Sequence, residues 1–184
     1  MRKIYFLAVI SAMTMFSKGY SMDNTNKFGN SYGYQKYGKE TVDAIQANGS
    51  VVLEETKILG TVSVNGSLNA EESAIGTLQV NGQADLKNCL INNTTIINGS
   101  LNAVNTNFQK ELSVASQKII LGTCSVDSLI VREVNGYDGV QVIDLRSGTK
   151  ITGPIIVESG NGEIWLSSNS EISDQVSGAK VYRK

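Results

Sequence analysis

The sequence of 184 residues contains no histidine, a single proline, Pro154, and only two cysteines, Cys89 and Cys124. Histidine is a common general base and the commonest metal ligand, so its absence excludes histidine-based triads, proton relays and histidine metal sites. The scarcity of proline contrasts with 18 glycines, a balance that suits many tight turns and few rigid breaks.

A short apolar run over residues 4–16 follows the basic start Met1-Arg2-Lys3. The run is shorter than the roughly 20 residues that a membrane-spanning helix needs. Small residues follow it at Gly19 and Ser21, as expected around a cleavage site. We therefore predict a secretory signal peptide over residues 1–21, with an uncleaved membrane anchor as the alternative.

Removing residues 1–21 leaves 13 basic and 17 acidic residues. This net negative charge offers no basic patch for nucleic acid and none for an anionic membrane surface. We expect an exported protein of the periplasm, cell surface or extracellular space, with no nucleic-acid partner and no transmembrane segment after signal cleavage. The remaining residues suffice for one domain with its own core.

Residues 22–47 precede the regular part of the sequence. Residues 22–40 are rich in Asn, Gly, Lys and Tyr and show no apolar period, which predicts a flexible leader. Within it, Tyr32, Tyr34 and Tyr37 could stack on a sugar or a partner protein, although a solvated linker is the simpler interpretation. Residues 41–47 are expected to form a helical turn that caps the N-terminal end of the regular part.

From Asn48 onward the chain repeats itself. Asn-Gly pairs begin at residues 48, 65, 81 and 98, and one further step of 17 leads to Ala115-Ser116. Three columns of mostly apolar residues recur within these segments. The columns are Val64, Val80, Ile97, Val114 and Val131; Val62, Leu78, Thr95, Leu112 and Leu129; and Ile58, Ile75, Ile91 and Phe108.

This period predicts an all-β fold, a single-stranded parallel β-helix over residues 48–184 with about 17 residues per turn. Short β-branched runs bounded by Asn-Gly are typical of strands that end in tight turns. One repeat per turn stacks each column at about 4.8 Å per layer, so that neighbouring turns supply the core. No six-residue subperiod is present, and parallel crossovers are usually right-handed, so we expect a right-handed coil.

The strict register breaks after Val131, where residues 135–139 look like an inserted turn. Alternation resumes beyond it, and with these segments the coil should contain about eight turns. The charged end Tyr182-Arg183-Lys184 could blunt the terminal edge. The further strands are expected at residues 140–145, 150–157, 163–166, 171–176 and 179–182.

Stacked carboxylates form the first candidate site. The repeat places Glu54 one layer from Glu71, and Glu55 one layer from Glu72, with Lys87 next in the first column. Such a cluster could bind a hard cation or act as paired carboxylates in glycoside cleavage. A solvated corner, relieved by the lysine, is the simpler interpretation, and we assign no catalytic, cofactor-binding or metal-ligating residue and expect no cofactor.

The two cysteines fall two turns apart in this repeat. Two layers measure about 9.6 Å, beyond the roughly 7 Å limit between the Cα atoms of a disulfide. We therefore predict that Cys89 and Cys124 do not pair within one molecule. Buried thiols are the expected state, with a bond between subunits as the alternative.

Few features point to an enzyme. Trp165 and Tyr137 could line a sugar site, but a single Trp between Ile164 and Leu166 is more simply an outward or capping aromatic. Enzymes with this fold usually carry long loops and converging acidic and basic residues, whereas the turns here are short. A carbohydrate-active enzyme is the least favoured of three hypotheses.

The repeated Val64-Asn65-Gly66-Ser67-Leu68 and Ile97-Asn98-Gly99-Ser100-Leu101, at about 17 residues per turn, resemble the bactofilins. The resemblance covers roughly residues 48–131 and implies a right-handed β-helix that polymerises end to end without nucleotide. Bactofilins are typically cytoplasmic, whereas this chain carries a predicted signal peptide. The first hypothesis is therefore a non-catalytic, self-associating scaffold of the bacterial envelope, and the second is a monomeric module that binds a glycan or an envelope protein.

Overall fold

The computed structural model describes residues 31–184, which contain strands and turns but no helix. None of these residues therefore forms a helix that could span a membrane. Every strand pairing is parallel. The strands are β1 Ser31–Tyr37, β2 Thr41–Val42, β3 Ile45–Glu54, β4 Lys57–Glu71, β5 Ala74–Lys87, β6 Leu90–Ile91, β7 Thr95–Val104, β8 Asn107–Phe108, β9 Leu112–Ala115, β10 Lys118–Gly122, β11 Ser125–Val126, β12 Leu129–Arg132, β13 Gln141–Arg146, β14 Lys150–Ile151, β15 Ile155–Val157, β16 Gly162–Leu166, β17 Glu171–Ile172, β18 Val176–Ser177 and β19 Ala179–Arg183.

The strands stack into a parallel β-solenoid of about 9 turns with roughly 17 residues per turn, which confirms the predicted fold class. Each turn contributes three extended segments, so that the coil has three faces. We name them by one inward column each. Face I carries Ile45, Val62, Leu78, Thr95, Leu112, Leu129, Ile155 and Val176; face II carries Val51, Leu68, Ala84, Leu101, Ile119, Ile143, Ile164 and Val181; face III carries Val42, Ile58, Ile75, Ile91, Phe108, Val126, Ile151 and Ile172.

The core is the space enclosed by these columns. The three columns that the repeat predicts are paired in the predicted register; for example, Val64 lies beside Val80, and Val114 beside Val131. Inward residues between the two ends of the coil are almost fully buried; Ile143 and Ile164, for example, are 0% exposed. Because each turn alone would leave its inner face in water, this stacking of apolar columns supplies the hydrophobic stabilisation.

The coil begins further upstream than the sequence predicts. Residues 31–37, expected to belong to the flexible leader, form β1 and pair with residues 47–53 of β3. Gly33 occupies the glycine position of the repeat, above Gly49, and Tyr37 packs against the core. The repeat is hard to recognise here because Gln35 stands where later turns have an aliphatic residue. The extra turn accounts for the difference from the eight turns expected.

The expected helical turn over residues 41–47 is also wrong. Residues 41–42 form β2, and β3 begins at Ile45. Val42 lies above Ile58 in the column of face III, and Ile45 and Ala47 both point into the core. This spacing of two residues matches a strand and not a helix. The predicted signal peptide and residues 22–30 of the leader lie outside the described residues.

The recurring glycine of the Asn-Gly pair is required by the close stacking of turns. Gly49, Gly66, Gly82 and Gly99 have φ between 138° and 144°, a region that residues with a side chain rarely adopt. A Cβ atom at any of them would collide with the carbonyl oxygen of the glycine in the preceding turn. The column therefore marks the bend between faces I and II, where the backbones of adjacent turns approach closely.

One loop interrupts the regular coil. Val131 pairs with Val157, 26 positions later, and residues 133–140 between β12 and β13 account for most of the excess. This segment contains the inserted turn predicted at residues 135–139. Gln141 closes its base, because the buried Nε2 amide donates to the carbonyl oxygens of Ser116 and Arg132 at 2.9 and 2.8 Å.

Candidate functional site

The predicted carboxylates do stack at the corner that follows face II. Glu54 lies beside Glu71, and Glu71 lies beside Lys87 in the next turn. Glu55 and Glu72 follow at the bend itself, with φ of 51° and 50°. All four therefore lie at the corner where the chain passes from face II to face III, in two successive turns of the coil.

Lysines oppose three of these carboxylates. Lys36 forms an ion pair with Glu54 at 2.8 Å, Lys39 with Glu55 at 3.0 Å, and Lys87 with Glu71. The hydrogen bond from Lys36 to Glu54 raises the pKa of that lysine, and the bond from Lys87 to Glu71 does the same. The corner is thus an exposed array of alternating charges. Within residues 31–184 no three Asp, Glu, Cys or His side chains are grouped so as to hold a metal ion.

The asparagines of the repeat form a ladder of side-chain amides on the outside of the coil. Asn65 donates to Asn48 at 2.9 Å, Asn81 to Asn65 at 2.7 Å, and Asn98 to Asn81 at 2.6 Å. Ala115 interrupts the column one turn later. Arg132, a turn beyond that, reaches back across the gap and donates from Nη2 to Asn98 Oδ1 at 2.6 Å.

The cysteines lie in a buried column of small polar side chains behind that corner. Cys89 and Cys124 are two turns apart, both are free thiols, and they are 4% and 2% exposed, as predicted. Each Sγ donates to carbonyl oxygens of the surrounding turns at 3.3–3.4 Å. Burial raises the pKa of Cys89 and raises that of Cys124 to about 11. The other members of the column are Thr56, Ser73, Thr106, Thr149 and Ser170.

The two aromatic residues considered for a sugar site serve separate local roles. Trp165 stacks on Tyr182 of the next turn, with ring centroids 4.8 Å apart and an interplanar angle of 20°. Lys184 Nζ lies 5.8 Å from the centroid of the Trp165 ring. Tyr137 donates its hydroxyl to the carbonyl oxygen of Val140 at 3.1 Å and so closes the loop after β12. The stack with Tyr182 therefore occupies one face of the Trp165 ring.

The C-terminal end of the coil presents the remaining candidate surface. Strands β17, β18 and β19 pair with β14, β15 and β16, and no other strand of residues 31–184 pairs with their second edge. Val181 continues the column of Ile143 and Ile164, yet it is 41% exposed. Ile172 and Val176 end the other two columns and are only partly buried. This end is therefore an apolar cross-section of the core with unpaired backbone groups.

Comparison with protein-family models, curated proteins and solved structures found no match to this chain.

The C-terminal end is also shaped by a contact that joins residues 40 positions apart. Lys184 turns back along the outside of the coil, where its Nζ binds Asp144 Oδ1 at 3.0 Å. Arg146 binds the other oxygen of the same carboxylate at 2.7 Å. The lysine consequently lies along face II and does not cover the edge of β19.

Asp144 holds this contact with a side chain that is only 9% exposed. Burial by itself would raise the pKa of this carboxyl, but the hydrogen bonds from Arg146 and Lys184 outweigh it, so that the pKa is lowered. The sequence alone does not single out this residue, because Asp144 reads as one polar position in an alternating strand. The only signal was an acidic residue in an outward column that ends in a basic tail.

Proposed function

We propose that this chain is a non-catalytic structural protein that associates end to end through the C-terminal turn of its coil. The observation that carries the proposal is the open column at that end, where Val181 is 41% exposed although Ile164, one turn earlier, is 0% exposed. A further turn of coil placed against β17–β19 would bury these apolar side chains and pair the free backbone groups. The resemblance to bactofilins favours the same mode of association.

Arg183 makes this association selective. It takes the inward register position that Leu166 holds one turn earlier, and it is exposed. An inward charge on an edge strand disfavours indiscriminate pairing, because a facing turn must provide an acceptor for the guanidinium. The end therefore accepts a turn with an oxygen acceptor at this position and disfavours other strands.

The predicted signal peptide would send such a protein out of the cytoplasm. We propose an exported scaffold of the bacterial envelope. The lysine-opposed glutamates and the occupied face of Trp165 favour a structural role over carbohydrate cleavage.

The test is the mass of the purified chain as a function of concentration, by light scattering, with negative-stain microscopy of the same samples. Val181→Lys should weaken association by at least about tenfold, because a charge would replace the exposed apolar contact. Arg183→Leu should strengthen it. Leu59→Lys, at an exposed corner away from the end, is the matched control and should change nothing.

A strict monomer at high concentration, for both the natural chain and Arg183→Leu, would overturn the proposal. It would favour the monomeric module, whose ligand would then be sought on the sides of the coil. Equal effects of Val181→Lys and Leu59→Lys would also contradict the assignment of the contact to the C-terminal end.

A further inference from the structure

The outer surface of face I changes character along the coil. Each face I strand has one outward residue, and in the first turns these are the polar side chains of Gln46, Ser63 and Gln79. From β7 onward the outward residues are Ile96, Ser113, Ile130, Ile156 and Ser177, so that three isoleucines enter the column. The outward side of a sheet that faces water is normally polar, so this apolar stripe requires an explanation.

No element of residues 31–184 fully covers the three isoleucines of the stripe, whereas Ser113 between them is only 7% exposed. Ile156 is 40% exposed, and Ile96 and Ile130 are partly exposed. Ile130 and Ile156 are direct neighbours in adjacent turns, and they are the two isoleucines of the stripe that no serine separates. A copy of the same surface would bury both side chains.

Charges beside the stripe indicate which orientation the second copy takes. Arg132 follows Ile130 by two residues, and Glu158 follows Ile156 by two residues in the next turn. Within the described part of the chain neither side chain forms an ion pair. Arg132 Nη2 donates only to neutral acceptors in this part of the chain, the carbonyl oxygen of Ile97 at 3.1 Å and Oδ1 of Asn98 at 2.6 Å, and its buried Nε has no hydrogen-bond partner there.

We infer that face I is a lateral contact between two copies of this chain, related by a twofold axis that runs between Ile130 and Ile156 and makes the two coils antiparallel. In this arrangement Ile130 of each copy meets Ile156 of the other. The same axis places Arg132 of each copy opposite Glu158 of its partner, so that both unpaired charges are matched. A parallel arrangement of the coils would not bring these charges together.

The contact is small. Four layers at about 4.8 Å extend over only roughly 15–20 Å along the coil, so we expect each partner to bury less than the about 800 Å² that is typical of standard interfaces. We therefore expect a weak dimer, with a Kd on the order of 10–100 µM. The inference does not rest on end-to-end association, because the side and the end of the coil use different residues.

Sedimentation velocity of the full chain carrying Val181→Lys tests the contact with end association suppressed. A monomer–dimer equilibrium is expected. Ile156→Lys should raise the dimer Kd at least about tenfold, whereas Leu59→Lys, a matched exposed apolar-to-lysine change, should leave it unaltered.

Charge reversal provides a second, orientation-specific test. Glu158→Lys alone and Arg132→Glu alone should each weaken dimerisation, because each faces a like charge in its own homodimer. An equimolar mixture of the two variants should dimerise more strongly than either, since both pairs then become opposite in charge. Absence of a dimer at millimolar concentration, no effect of Ile156→Lys, or no gain on mixing would overturn the inference.

Discussion

Replacing Thr95 with valine is expected to stabilise the coil, although it removes a hydroxyl from the only threonine in its column. Thr95 lies inward on face I between Leu78 and Leu112 and is 0% exposed. Its Oγ1 has no hydrogen-bond partner within residues 31–184. Burial of such an unpaired hydroxyl costs about 1–3 kcal/mol.

Valine has nearly the same shape as threonine, so the substitution should leave neither a cavity nor a clash. The expected gain in the free energy of unfolding is therefore about 1–2 kcal/mol. With a urea m value of about 2 kcal/mol/M for a domain of this size, the midpoint should rise by about 0.5–1 M.

Thr106→Val is the matched control. Thr106 is also buried, at 1% exposure, but its Oγ1 donates to the carbonyl oxygen of Val104 at 3.1 Å. Removing this bond should lower the free energy of unfolding by about 1 kcal/mol. If Thr95→Val lowers the urea midpoint as Thr106→Val does, the hydroxyl of Thr95 has a partner in solution and the reasoning is refuted.

Three further predictions concern the backbone, the thiols and the C-terminal contact. Gly82→Ala should abolish or severely weaken folding in thermal melts, because φ is 140° and the new Cβ would collide with the carbonyl oxygen of Gly66. The control Gly136→Ala, in the open loop, should lower the free energy of unfolding by only about 1 kcal/mol. Cys89 and Cys124 should react with a thiol reagent only after denaturation. Since the pKa values of both thiols are raised in the folded state, their contribution to the free energy of unfolding should be complete below about pH 8.5 and should decrease as the pH rises towards 11. Replacing both cysteines with threonine should flatten this pH dependence if the thiols cause it. The lowered pKa of Asp144 acts in the opposite sense, because the stabilisation by its carboxylate is present at neutral pH and is lost as the pH falls through the folded pKa. Asp144→Asn should therefore speed amide hydrogen exchange in β19 at neutral pH and reduce the acid sensitivity of stability. Unchanged exchange would contradict the role of this contact.

Much of the fold could be predicted because residues that contact each other in a solenoid are separated by one repeat length in the sequence. Val80 touches Val64 and Ile97 because each is one turn away, so the spacing of residues translates directly into neighbours. The separation of the two cysteines followed from the same arithmetic. The free, buried state of both thiols confirms it.

The first turn escaped prediction because its pairing depends on backbone and on one glycine more than on apolar side chains. Gln35 replaces the aliphatic residue of the column, and Gly33 alone preserved the pattern. A strand at the end of a stack can tolerate this, since its partner turn supplies most of the burial.

Features of the candidate site that lie outside the period could not be foreseen. The bond from Arg132 to Asn98 skips a turn, and Lys184 reaches Asp144 across two turns. Such contacts depend on side-chain direction and length, which a column of residue types does not specify. The stacking of the glutamates is predictable from the repeat, but the lysines of the first turn that oppose two of them lie in a segment whose composition predicts a flexible leader.

The loop after β12 shows that the alignment of turns does not depend on the number of residues between them. Val131 finds Val157 across 26 positions as accurately as Val114 finds Val131 across 17. The amide of Gln141 fastens the base of the loop, and its tip, the turn at Asn135-Gly136, is exposed. Because the entropy of closing a loop grows slowly with its length, a foreign peptide inserted at this tip should be carried outside the coil without disturbing it. The sequence of a peptide inserted in this loop could therefore be varied without altering the coil that carries it.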